Sequence, residues 1–322
     1  MAQTKQEKLD AKREREYEKK HKRVYRLTSG DVLFNILNYG VFVAFTICCI
    51  FPFYYIFINT ISQRDLVAQG KITLWPQGIN IQNYLDILKV SDIFNAFGVT
   101  LARTVIGTAF MVMATALIGY LVTKKEMWNR KFWYRVIVIT MYFNAGIIPW
   151  YMNMQMLGLT GKFAAYIIPG IVAPYNIILV KTYIESIPAE VQESAFIDGA
   201  GYFTVFKKII FPLSKPILAT IAIFGAVGHW NSFTDSLILM QDNPKLYTLQ
   251  HLLYNYLNSS SNLSGIMNSG NTSAAVSAME TALNSKVMKY TVSMVAILPI
   301  LLVYPFMQRY FEKGIMLGAV KG

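Results

Sequence analysis

The apolar residues of this 322-residue chain come in long blocks, separated by short segments that hold most of the charges. A hydrocarbon core of about 30 Å is crossed by roughly twenty mostly apolar helical residues. Six blocks reach that length, from about Val32 to Ile58, Phe94 to Val122, Trp133 to Met154, Ala164 to Tyr183, Ile217 to Met240 and Tyr290 to Phe311. A spanning segment must satisfy its own backbone in lipid, so each block predicts a helix. A membrane barrel would show short alternating segments instead. The expected fold is all-α, a polytopic membrane protein with six transmembrane helices. Pro52, Pro149, Pro169 and Pro174 fall inside spans and are expected to kink them.

Charge sets the orientation. Residues 1–26 carry ten Lys/Arg and five Asp/Glu. Lys124, Lys125, Arg130, Lys131 and Arg135 follow the second block, Lys207 and Lys208 follow the fourth, and Arg309, Lys313 and Lys321 follow the sixth. The opposite loops hold fewer basic residues for their length. The bias predicts cytoplasmic N- and C-termini. The expected division is a basic tail over 1–30, a transmembrane domain over 31–312 and a cytoplasmic tail over 313–322. Within the membrane domain lie a cytoplasmic loop over 186–208 and an extracytoplasmic segment over 241–289.

Composition agrees. The chain is 54% hydrophobic and 15% charged, where soluble domains carry about 25% charged residues. The net charge of +12 sits in the tail and the short loops, which is a topology signal and not a nucleic-acid-reading face. Cys48 and Cys49 are adjacent inside an apolar block, an arrangement that favours neither a mutual bridge nor a metal site. The first span is expected to act as its own signal anchor.

The loop between the fourth and fifth blocks reads Ser186-Ile187-Pro188-Ala189-Glu190-Val191-Gln192-Glu193-Ser194-Ala195-Phe196-Ile197-Asp198-Gly199-Ala200-Gly201. Pro188 suits a first helical position, and Glu190 complements the positive helix end. Val191, Ala195 and Phe196 form a short apolar stripe. Gly199 and Gly201 can end the helix in a left-handed turn, and Thr204 is a candidate cap for the helix that follows. The result is a helix–turn–helix at the cytoplasmic surface. It suits docking to a soluble partner, but on these features alone an ordinary amphipathic connector is the favoured reading.

Spacing separates the two. Glu193-Ser194-Ala195, three residues, Gly199, nine residues, then Ile209 and Pro212 match the EAA loop, with Ser194 and Phe211 as mild departures. The chain therefore resembles the inner-membrane permeases of binding-protein-dependent ABC importers. The ending Gln308-Arg309-Tyr310, Lys313-Gly314 and Gly318-Ala319-Val320-Lys321-Gly322 is similar to that of maltose-transporter-type carbohydrate permeases. Asn144 to Pro149 and Leu298 to Pro305 resemble the branch for complex oligosaccharides and polysaccharides.

The resemblance implies a type I importer permease fold in the cell membrane of a prokaryote. It implies a second homologous permease, two ABC ATPase subunits that bind ATP and Mg, and an extracellular solute-binding protein. This chain would itself hold no cofactor and catalyse nothing. Glu193, Ser194, Ala195, Asp198, Gly199, Ile209 and Pro212 would form the joint with the ATPase, and the C-terminal tail would reach it too. The solute would be a carbohydrate, or another solute handled by the same family.

Polar groups inside a span are costly and mark candidate paths. His229, Trp230, Asn231, Ser232, Thr234 and Asp235 fall in the fifth block. They offer an aromatic face and polar groups for sugar rings and hydroxyls, or alternatively interhelical hydrogen bonds. Arg103, inside the second block, is a candidate partner for Asp235. A secondary transporter would want internal repeats or broken helices and would leave the EAA-like loop without a purpose. A membrane enzyme or receptor is disfavoured by the lack of a catalytic constellation and of a P-loop.

Overall fold

A computed structural model describes residues 28–89, 91–267, 286–305 and 308. The tail over 1–27, most of the expected extracytoplasmic segment beyond Met267 and most of the residues after 305 lie outside the described residues. Every regular element among the described residues is helical. The chain divides into two compact units, Met1–Tyr54 and Tyr55–Gly322.

Helix α1 (Ser29–Thr60) supplies the first unit and ends in the second. Its start is closed by Asp31 Oδ2, which accepts from the N–H of Thr28 at 2.9 Å, one half of a capping box. Before its buried last turn its side chains are mostly apolar and exposed, Phe34, Tyr39 and Val41 among them. A helix apolar all round belongs in lipid or a core, and its 32 residues reach about 48 Å. Cys48 and Cys49 are free and exposed on it.

In the second unit the chain turns back on the end of α1. Asn80 N–H donates to the carbonyl of Ile61 at 2.7 Å, and Gln63 N–H donates to that of Gln77 at 3.0 Å. The buried Asn83 donates to the carbonyls of Thr60 and Ser62. Short helices α2 (Arg64–Ala68) and α3 (Gln82–Lys89) lead into α4 (Ser91–Leu121), the long central element.

Three of the six expected spans are single helices: α1, α4 and α13 (Lys286–Pro305). The other three are broken: the fourth before Pro174, where a kink was expected, and the third and fifth at Gly146 and Ser232, where the expected helices were continuous. The third becomes α5 (Arg130–Tyr142) and α6 (Ile147–Met156). Gly146 separates them at φ 87, and its N–H donates to Asn144 Oδ1 at 2.9 Å, a local turn that competes with helix. The fourth is a 3₁₀ stretch, Phe163–Gly170, followed by α7 (Pro174–Glu185) at 45°. Pro174 forces Ala173 into an extended conformation, φ −111 and ψ 96. In the fifth, α10 (Lys215–Asn231) ends where Ser232 becomes extended, and α11 (Thr234–Leu239) restarts.

The loop over 186–208 holds two helices, α8 (Glu190–Ile197) and α9 (Tyr202–Leu213). The second contains a π turn over Phe206–Ile210 and meets α10 at 78°. Helix α12 (Leu249–Met267) makes the first part of the expected 241–289 segment helical.

Helix α4 packs on α10, α7 and α12. Small residues set the approach. A Cβ on Gly119 would lie 2.8 Å from Val180 Cγ1, and one on Gly225 would lie 2.5 Å from Met111 Cε. Gly119→Leu should therefore pry α4 from α7 and cost about 1–3 kcal/mol of stability. Thermal unfolding of the detergent-solubilised chain measures it; an unchanged midpoint would mean that the α4–α7 contact is loose.

Candidate functional site

Two places concentrate chemistry, an exposed surface helix and a cavity beside a buried ion pair.

The surface helix is α8. Glu190 and Glu193 occupy its first turn and are exposed. Pro188 stands before the cap residue Ala189, so the helix starts two residues later than the sequence reading placed it. At the other end Gly199 adopts φ 82. Its N–H donates to the carbonyl of Phe196 at 3.0 Å, and that of Ala200 donates to Ala195 at 2.9 Å. Together they form a Schellman closure. Gly201, at φ −74, is the N-cap of α9, in place of the expected Thr204.

Ala195 and Phe196 turn inward onto a core of Tyr120, Val180, Ile184, Val205 and Phe206. Glu193, Ser194 and Asp198 are exposed, and Val191 is at the border of the outer face. Ile197, absent from the sequence-based stripe, is 86% exposed, with Tyr202 and Phe203 exposed beyond it. Ile209 and Pro212 do not join this face. Ile209 lies half-buried in the π turn of α9 and Pro212 follows it. The outer face of α8 therefore carries three carboxylates, Glu190, Glu193 and Asp198, around the large apolar side chain of Ile197.

Lys124, just past α4, meets the inner side of α8. Its ammonium donates to Gln192 Oε1 and lies 4.5 Å from the centre of the Tyr120 ring and 5.5 Å from that of Phe196. Burial pushes this lysine below its ordinary pKa, opposed by the nearby Glu126 carboxylate. Tyr120 Oη donates to the carbonyl of Tyr202 at 3.2 Å.

The cavity, of about 340 Å³, lies among α4, α6, α7 and α10 and is lined by Arg103, Trp150, Tyr166, Asn176, Phe224, His229, Ser232 and Asp235 among others. It is near the small end of the range for ligand sites. Arg103 is 2% exposed. Its Nη2 lies 2.6 Å from Asp235 Oδ2, and its Nη1 donates to Asp235 Oδ1 and to the Ser232 carbonyl, each at 3.2 Å. The guanidinium stands 4.4 Å above the Tyr166 ring, and its Nε has no hydrogen-bond partner among the described residues. Asp235 Oδ1 also accepts from Ser232 Oγ at 3.0 Å and from the N–H of Ser236 at 2.9 Å.

Asp235 is thus committed to Arg103 and to the broken backbone at Ser232. It fastens the α10–α11 break to α4 and keeps little acceptor capacity for a solute. His229 fits because Gly107 has no side chain; a Cβ there would lie 2.5 Å from its Nε2.

The structure brings His229, Ser232 and Asp235 together at the cavity and sends the other three candidates elsewhere, Thr234 to an exposed position at the start of α11. Trp230 is buried, donates from Nε1 to the carbonyl of Ala296 at 2.9 Å and meets Phe97 edge-on. Asn231 is exposed and accepts from Gln250 at 3.4 Å. Trp150 and Tyr166, which the sequence reading did not single out, supply aromatic faces to the cavity.

Comparison with known proteins gives concordant results. Residues 112–317 match the family described as binding-protein-dependent transport system inner membrane component. The chain is 32% identical over 290 residues to the polygalacturonan/rhamnogalacturonan transport system permease protein YtcP of Bacillus subtilis, covering 90% of this chain and 99% of that one. It is 34% identical over 289 residues to the B. subtilis protein LplC, covering 89% and 94%. Among solved structures it is similar to a chain of a bacterial ABC transporter involved in the import of the acidic polysaccharide alginate. The identity is 30%, the coverage 88% of this chain and 98% of that one, and the TM-score 0.76.

Proposed function

The chain belongs to the family of binding-protein-dependent transport system inner membrane components, and on that premise we propose that it is the permease subunit of an ATP-driven importer of oligosaccharides or polysaccharide fragments. It crosses the membrane six times with both termini in the cytoplasm. It works beside a second permease, above two ATPase subunits that bind ATP and Mg, and below an external solute-binding protein.

The observation that carries the coupling role is the outer face of α8. Glu193, Ser194 and Ile197 are exposed on a short helix held at both ends, at the spacing that the family uses to seat an ATPase. Glu193, Ser194, Ala195, Asp198 and Gly199 form the joint, while Ile209 and Pro212 shape the helix behind it.

The α5–α6 break supports a second permease. Residues 143–146 are exposed and non-helical between two apolar helices. Lipid cannot satisfy such backbone, so protein or water must cover it. The carbohydrate assignment follows the relatives, whose substrates include polygalacturonan and alginate, and an arabinooligosaccharide permease of Halalkalibacterium halodurans is 26% identical. His229, Ser232, Trp150 and Tyr166 offer sugar rings polar and aromatic contacts.

Broken spans with an ionic pair also occur in secondary transporters. Family membership and the exposed α8 favour the ATP-driven reading. The test is purification of the tagged chain from its host in mild detergent, followed by mass spectrometry. A second permease and an ATPase should co-purify, with ATP hydrolysis stimulated by binding protein loaded from a panel of uronate and neutral oligosaccharides. An intact chain that purifies alone would overturn the proposal.

A further inference from the structure

Lys124 belongs neither to the outer face of α8 nor to the cavity, yet it is half-buried. A solvated lysine on a loop would be the ordinary outcome at the end of a membrane helix. Here the ammonium is held between the rings of Tyr120 and Phe196 and donates to Gln192. Tyr120 belongs to the last turns of α4, and Gln192 and Phe196 belong to α8.

We propose that Lys124 is the positioning residue through which a displacement of α8 reaches α4 and, along α4, the Arg103–Asp235 pair at the cavity. The inference rests on the proposed coupling role of α8 and adds the route that the coupling takes inside this chain.

Two fastenings tie the surface helices to the end of α4. One is Lys124 with Gln192 and Phe196. The other is Tyr120, 1% exposed, whose hydroxyl donates to the Tyr202 carbonyl and whose ring lies 5.4 Å from that of Phe206. The first adds a polar link to α8 beside the apolar packing of Ala195 and Phe196, and it is directional, since a cation–π contact and a charge-assisted hydrogen bond fix the position of the ammonium.

From there α4 is an unbroken helix. Arg103 lies roughly 30 Å along it from Lys124. Close contacts prevent α4 from slipping alone: Gly119 meets Val180 of α7, and Gly107 meets His229 of α10. Packed elements at such density transmit displacement instead of absorbing it. A push on α8 that moves Lys124 therefore moves the helix that holds Arg103, and with it the α10–α11 break that Asp235 fastens.

The experiment uses the complete transporter, purified with its co-purifying subunits and reconstituted in liposomes with the loaded binding protein. The readout is ATP hydrolysed per solute taken up. Lys124→Met keeps the apolar stem and removes the charge; it should raise that ratio about five- to tenfold, the size of a lost coupling of ordinary strength. Lys124→Arg, which keeps both the cation–π contact and a donor, should stay within about twofold of the wild type.

Gln192→Leu removes the acceptor on α8 and leaves the Tyr120 contact. It should also raise the ratio, and it carries the test if Lys124→Met does not assemble. An unchanged ratio in Gln192→Leu and in every assembled Lys124→Met preparation overturns the inference. So does an equal rise in Lys124→Arg, because packing and not charge would then be responsible. A wild-type preparation that contains no ATPase instead overturns the parent reading, so the two failures are distinct.

Discussion

Asp235→Ala is expected to destabilise the protein by about 3–5 kcal/mol, the usual cost of leaving a buried charge without its partner. Arg103 is 2% exposed and carries its charge against Asp235, the Ser232 carbonyl and the Tyr166 ring. Its Nε is already unpartnered among the described residues. Removing Asp235 also frees Ser232 Oγ and the Ser236 N–H from their shared acceptor.

The informative comparison is with Arg103→Met combined with Asp235→Leu. Replacing both members with apolar groups removes the charge together with its counter-ion, and such replacements are often neutral. The double variant should therefore recover most of the stability that Asp235→Ala loses. Thermal unfolding in detergent reports both. Equal destabilisation of the single and double variants would show that the backbone contacts of Asp235, and not the unpaired charge, account for the loss. A single variant as stable as wild type would show that water reaches Arg103.

How much of this was legible in the sequence follows from the length scale of each signal. The six apolar blocks are set by the thickness of a bilayer and are read directly from composition. The breaks within three of them are local. Asn144 and Gly146 interrupt the third block through one side-chain hydrogen bond and one positive φ, which an apolar average over twenty residues does not register.

The fifth block shows the consequence. Treated as one helix, it places Trp230 and Asn231 among polar neighbours as path candidates. The extended Ser232 separates two helices, and Trp230 packs toward Ala296 instead. The run from His229 to Asp235 was itself the signal of a break, since a helix seldom continues through so many polar residues at membrane depth.

The Arg103–Asp235 pair was legible as two ionisable groups that each needed a partner. The link between Lys124 and Gln192 was not, because the residues are 68 positions apart and each is unremarkable in its own loop. The EAA spacing identified α8, but its outward direction emerged only from the inward packing of Ala195 and Phe196, which turns Ile197 out.

Gly199→Val is expected to lower solute uptake about tenfold or more while leaving the amount of chain in the membrane unchanged, because a left-handed residue with a side chain costs about 1–2 kcal/mol and a β-branched one costs more. A Cβ on Gly199 meets nothing within 4 Å, so the penalty lies in the backbone and not in a clash. Relief comes only by abandoning φ 82, which breaks the bonds from Gly199 and Ala200 to Phe196 and Ala195. The turn into α9 then opens and α8 changes its angle, while the core below keeps its contacts. Backbone tolerance orders the series: Gly199→Asn should retain the most uptake, Gly199→Ala less and Gly199→Val least. Glu193→Ala separates geometry from charge. Its side chain is exposed, so its loss should leave the fold intact and weaken retention of the ATPase during purification. Uptake measured beside membrane abundance decides the matter. Full uptake by Gly199→Val and Glu193→Ala would remove α8 from the coupling path, whereas uptake that follows the Asn, Ala, Val order would tie transport to the angle at which this helix is held.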